Sequence, residues 1–223
     1  MKRLLAVGLA LVNGLAAAQV GPTAAEAAAY SGLHAAAWRG NAAAVAGVDR
    51  AAVNARDSQG RTPLHVATFA RKDDVIRALA RAGADLGALE NDRYDAVTIA
   101  AVADDEATLA VLLERGASAR LTTSRYDGTA LIAAAHLGHD GVVRQLIQAG
   151  APLDHVNNLH WTALIEAVVL GDGGPRHQRV VQDLLKAGAN TQLADRDGRT
   201  PLALARSRGY VAMVRLLEAA GAR

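Results

Sequence analysis

Four histidines form the densest group of potential metal ligands in this chain, His136 and His139 three residues apart and His155 and His160 five apart. Imidazole pairs at such spacings are what a zinc site is built from. Cysteine is absent, which removes thiolate ligands, cysteine nucleophiles and disulfide frameworks. There is no His-Glu-x-x-His helix, no Gly-x-Ser-x-Gly elbow and no dinucleotide loop after a strand. Gly171-Asp172-Gly173-Gly174 comes nearest to a phosphate cradle, but it lacks the lysine and the preceding strand that such a loop needs. The residues thus predict no enzyme, no cofactor and no metal, with metal binding at the histidines as a lesser alternative.

The elements available to position any site are helical by composition. Hydrophobic residues make up 51% of the 223 and aromatics only 3%, a balance rich in alanine and leucine that favours closely packed helices over strands. Lys and Arg number 24 against 22 Asp and Glu, and Lys2 and Arg3 account for the excess. Without a basic surplus the chain lacks the driving force for nucleic-acid binding.

Those two cations open a signal-peptide pattern, followed by an apolar run from Leu4 to Val12, a break at Asn13-Gly14 and the small residues Ala16 to Ala18. The run is about half of the roughly 20 residues that cross a bilayer. The pattern predicts cleavage after Ala18, a periplasmic or secreted protein, and no membrane insertion afterwards. Residues 19–30 read as a linker and capping helix, with Thr23 and Glu26 in capping-box spacing.

A repeat organises the rest. Asp57-Ser58-Gln59-Gly60-Arg61-Thr62-Pro63-Leu64-His65 aligns with Asp195-Arg196-Asp197-Gly198-Arg199-Thr200-Pro201-Leu202-Ala203, and weaker copies place apolar anchors at Leu33, Val97, Leu131 and Leu164. Successive anchors from Leu33 to Leu202 lie 31, 33, 34, 33 and 38 residues apart. Thr62 suits an N-cap and Pro63 the first helical position. A second helix carrying Val75, Ile76 and Leu79 should stop at Gly83, with equivalent stops at Gly116, Gly150, Gly188 and Gly221.

Thr-Pro-Leu-His, the later apolar triplet and Gly83-Ala84-Asp85 resemble the ankyrin repeat, over residues 31–223 and in six copies. The resemblance implies an all-α solenoid of paired antiparallel helices joined by short hairpin-like turns, monomeric, whose concave groove binds a partner protein. It also implies that His34 and His65 hydrogen-bond between turns and that His139, after Gly138, is an ordinary family histidine; His136 reads as an exposed groove position. The family's contact positions lie six, five and three residues before each anchor and five and six after it. Six of the seven aromatics fall there: Tyr30, Trp38, Phe69, Tyr94, Tyr126 and Trp161. Arg39, Arg61, Arg125, Arg196, Arg199 and Arg208 share those positions. Aromatics and arginines dominate binding hot spots, so these twelve are the expected recognition surface.

The fifth copy is irregular. Leu164 to Gly188 spans 24 positions where the other complete copies span 19, which places an inserted loop at 171–178. Glu166 occupies a position that is apolar elsewhere: Ala35, Val66, Ile99, Ala133 and Leu204. A carboxylate there requires partners, and the loop's backbone amides, Arg176 and His177 are the expected ones. Trp161-Thr162-Ala163-Leu164-Ile165-Glu166-Ala167 with this loop resembles exported bacterial ankyrin proteins. The sequence leaves three roles open: a recognition module of the cell envelope, an inhibitor or protector of an exported enzyme, or a structural envelope element.

Overall fold

The structure is a computed structural model that describes residues 21–223; the expected signal peptide and cleavage site lie outside the described residues. Thirteen α-helices and no strands make up the described chain, with one isolated antiparallel bridge, Thr123 to Gly128. The N-terminal α1 (Ala24–Ala29) carries the expected capping box, Thr23 N–H on Glu26 Oε2 at 2.8 Å and Glu26 N–H on Thr23 Oγ1 at 3.2 Å.

The first helices of successive repeats are α2 (Gly32–Arg39), α4 (Pro63–Phe69), α6 (Ala96–Val102), α8 (Ala130–Leu137), α10 (Ala163–Val169) and α12 (Pro201–Ser207). They pack in one row, each on the next, and the second helices α5 (Asp73–Arg81), α7 (Glu106–Glu114), α9 (Asp140–Gln148), α11 (Pro175–Lys186) and α13 (Val211–Ala219) pack in another. Each is too short to persist alone in water. Stacking buries what isolation would expose: Leu64, Val97, Leu131, Leu164 and Leu202 are each 0–1% exposed. Small residues such as Ala67, Ala101, Ala134 and Ala167, all inaccessible, let the rows approach closely. The first repeat is the exception, because Gly47 cuts its second helix to a single 3₁₀ turn, Ala42–Val45, before a short α3 (Arg50–Val53).

The glycine stops behave as the sequence predicts, with φ between 78° and 95° at Gly83, Gly116, Gly150, Gly188 and Gly221, the left-handed cap that releases the chain from a helix. The inserted segment differs from expectation. Pro175 opens α11, which has 12 residues, so only 171–174 of the expected 171–178 loop is irregular. Pro175 at the first helical position costs no hydrogen bond, so it starts the helix one turn early.

Candidate functional site

Each hairpin tip is built by a polar side chain seven residues before the anchor. Asp57 Oδ1 accepts the backbone N–H groups of Gln59 and Arg61, and Asp195 Oδ1 those of Asp197 and Arg199. Glu90 accepts the Asp92 and Tyr94 amides in the same way, and Ser124 Oγ the Tyr126 amide. The residue four before the anchor is left-handed in every case: Gly60, Arg93, Asp127, His160 and Gly198. His160 is thus a turn residue, and among the described residues no group of three His, Asp or Glu side chains could hold a metal. Successive tips are tied by single backbone bonds, Asn91 N–H to Gln59 C=O, Ser124 N–H to Arg93 C=O and Asn158 N–H to Tyr126 C=O, each 2.8–3.0 Å.

The histidines at the helix starts do what the family resemblance implies. Thr62 N–H reaches His65 Nδ1 at 3.0 Å, so the ring proton sits on Nε2 and is donated to Tyr94 C=O at 3.2 Å. Burial holds the His65 pKa down at about 4. His34 Nε2 lies 2.9 Å from Arg61 C=O.

Two members of the expected recognition surface are inside the protein. Arg61 is 3% exposed, held by Asp57 and Glu26 at 2.7 and 2.6 Å, and Tyr30 donates its hydroxyl to the same Asp57 at 2.9 Å. Two carboxylates neutralise the guanidinium, which is what allows it to bury. Tyr94 is 6% exposed; the following tip, fastened through Ser124, closes over it, and burial raises its hydroxyl pKa. The rest remain accessible. Tyr30, Trp38, Phe69, Tyr126 and Trp161 are half-buried, and Arg39, Arg125, Arg196, Arg199 and Arg208 are exposed. Trp38 and Trp161 also pack against the core. Arg125 pairs with Asp92 at 2.7 Å, Arg196 donates to Asn158 C=O, Arg199 pairs with Asp195 and Asp197, and Arg208 lies over the Tyr210 ring at 6.0 Å.

Glu166 is buried, 2% exposed, and satisfied, but not by the inserted loop. Asn157 Nδ2 donates to its Oε1 at 3.0 Å, and His136 Nδ1 meets its Oε2 at 3.1 Å. Asn157 Oδ1 already accepts the Leu159 and Trp161 amides, which fixes the amide orientation and leaves its NH2 group for the carboxylate. His136 is therefore not an ordinary exposed groove residue. His177 supports the arrangement from behind, its Nε2 on His136 C=O at 2.9 Å and its Nδ1 on Asp172 Oδ1 at 2.9 Å. Arg176 goes elsewhere, to Asp104 at 2.8 Å and Asp140 at 3.2 Å. Arg144 and Arg179 converge on the same Asp140, and the Arg179 hydrogen bond above all holds that carboxyl well below the usual range.

Glu166, Asn157 and His136 line a small cleft, open to solvent, between tips and first helices. Its walls come from three consecutive repeats: Tyr94, Thr98 and Val102 from the third, Ser124, Tyr126, Ile132, His136 and Leu137 from the fourth, Asn157 and Glu166 from the fifth. Ser, His and Glu together are the types used in nucleophilic catalysis. Here the Ser124 hydroxyl accepts the Tyr126 amide at 3.2 Å and makes no hydrogen bond to His136 among the described residues, so the nucleophile–base contact that defines such a triad is not formed.

The chain matches the family described as ankyrin repeats (3 copies) over residues 33–123 and 97–195. It is 36% identical over 177 residues to the ankyrin repeat protein YahD of Escherichia coli, covering 79% of this chain and 86% of that one. A solved ankyrin repeat domain from Acinetobacter baumannii superposes with a TM-score of 0.80 at 44% identity, over 86% of this chain and 98% of that one. The ankyrin repeat protein EF0377 superposes at 0.76 with 30% identity, over 85% and 98%.

Proposed function

Because this chain belongs to the ankyrin-repeat family, we propose that it binds a partner protein through the face formed by its hairpin tips and first helices. One observation carries this reading: a cleft shared by three repeats opens on the side where Tyr126 and Trp161 are half-exposed and Arg125 and Arg196 reach solvent. Rigid aromatics and arginines around an apolar depression are the usual composition of a binding hot spot.

The reading extends to place. The Met1 to Ala18 pattern supports export and work in the bacterial cell envelope, as a recognition module or as an inhibitor or protector of one exported enzyme. Mass measurement of the protein recovered from the periplasmic fraction should give a chain beginning at Gln19. An intact chain confined to the cytoplasm would reject export.

Affinity capture with the full chain, compared with a Tyr126→Ala/Arg196→Ala double variant, tests binding. Each truncation should weaken capture by about 2 kcal/mol with little change in melting temperature, since Arg196 is exposed and Tyr126 is half-buried at the cleft wall. Equal recovery of the same partner by the variant would refute this face. Recovery of membrane or wall components instead of one soluble protein would point to an envelope element.

A further inference from the structure

We propose that the cleft over Glu166 is an anchor pocket for one cationic side chain, arginine or lysine, of the partner protein. The inference rests on the groove reading above and adds the chemistry of the residue that enters.

No lysine or arginine lines the cleft. Its one carboxylate, Glu166, is 2% exposed, and the groups it meets are the Asn157 amide and the His136 ring, with no guanidinium in contact. Elsewhere in this protein a well-buried carboxylate group has an arginine on it, as Asp57 has Arg61 and Asp140 has Arg144, Arg176 and Arg179, or caps a helix amide, as Asp95 does for Thr98. Glu166 does neither. A carboxylate offers about four acceptor sites, and the two bonds it makes leave capacity for a further donor.

The positive groups near the mouth are already committed. Arg125 pairs with Asp92 at 2.7 Å and Arg93 with Asp127 at 3.6 Å, and the remaining cation on this side, Arg196, is turned onto Asn158 C=O at 3.1 Å. His136 uses Nδ1 on Glu166, and its Nε2 has no hydrogen-bond partner among the described residues, leaving a second polar contact in the same wall. Val102, Ile132, Ala133 and Leu137 supply apolar surface for the methylene stem that lysine and arginine carry behind their charge. Tyr94 and Tyr126 contribute aromatic rings, whose faces attract cations. An acidic side chain would meet Glu166 head-on, and a purely apolar one would leave its remaining acceptor capacity unused.

Chemical-shift titration of the isotopically labelled chain with four capped amino acids tests this. The N-acetyl methylamides of arginine, lysine, norleucine and glutamate differ only in the side chain offered. The arginine and lysine probes should move the amides of Thr98, Ser124, Tyr126, Ala133 and Asn157, with norleucine at least tenfold weaker and glutamate without effect. Glu166→Gln, which keeps shape and removes charge, should weaken the arginine probe at least tenfold. Equal binding of norleucine and lysine overturns the proposal on the unaltered chain alone, whatever the variant's fold. Preference for glutamate, or arginine binding unchanged by E166Q, overturns it as well. Should a captured partner bind E166Q as it binds the unaltered chain, yet be lost on Tyr126→Ala/Arg196→Ala, the groove reading stands and the cationic anchor falls.

Discussion

His65 should make this solenoid sensitive to mild acid. The ring is fully inaccessible, and it bridges Thr62 N–H to the carbonyl of Tyr94 in the following repeat. Protonation places a hydrogen on Nδ1, which then confronts the Thr62 amide it had accepted, at a ring closed off from solvent. Burial accordingly lowers the pKa from 6.5 to about 4. The folded state refuses a proton that the unfolded chain takes up, so the stabilisation is complete above pH 6.5 and is lost as pH falls towards 4. The drop from 6.5 to about 4 amounts to roughly 3 kcal/mol, of which about 2.5 kcal/mol is gone by pH 4.5. Asp95, whose pKa burial raises, acts in the opposite direction, so the net loss is somewhat smaller. Asp140 and Asp57, both lowered, add their losses only below the usual carboxylate range. Urea unfolding of the full chain and of His65→Gln, whose amide can keep both hydrogen bonds, should be compared between pH 7.5 and 4.5. The variant should be less stable at neutral pH, and the gap should close or reverse by pH 4.5. Parallel curves for the two proteins would refute the assignment.

Arg61→Ala should cost about 3 kcal/mol, since it strands Asp57 and releases α1, through Glu26, from the second repeat; faster amide exchange at Ala27 to Ala29 together with a lower melting temperature would show it. Glu166→Ala should destabilise by about 2 kcal/mol because Asn157 and His136 lose their shared acceptor, and Glu166→Gln by less, as denaturant midpoints would reveal. Gly171→Ala should lower stability by about 2 kcal/mol, because a Cβ there would collide with Ala167 C=O and stand 2.7 Å from the His177 ring; loss of the His177 to His136 contact would appear in histidine side-chain spectra.

Much of the fold was legible because a repeat announces itself several times. Anchors, caps and stops could each be checked against their own copies, and the helices fall where Thr62-Pro63 and Gly83 placed them. The site was legible only in part. Position in the repeat identified which side chains stand near the groove, but whether a side chain is covered depends on what its neighbours bring, and this misplaced Arg61 and Tyr94. Glu166 was singled out correctly as a carboxylate in an apolar slot, whereas its partners were sought in the adjacent loop and came from the preceding repeat and its own tip. The sequence did hold a signal for Asn157. Asp57 and Asp195, in the same tip position, each face an arginine four residues on, and in the fifth repeat both change together, to Asn157 and Trp161. An amide replaces a carboxylate where another carboxylate must be met. Pro175 likewise is a helix-start signal inside the inserted segment.

In a pure stack each layer touches only the one above and the one below, so that the column can shed its outermost layers singly. Arg176 breaks that rule: rooted in the fifth layer, it clasps Asp104 of the third and, on the way, Asp140 of the fourth. Three floors are thereby riveted along one edge, and they are the same three that wall the cleft. Fraying from either end should slow at this block, by no more than about 1 kcal/mol because Arg176 is half-exposed, and whatever docks in the cleft meets three layers tied to one another.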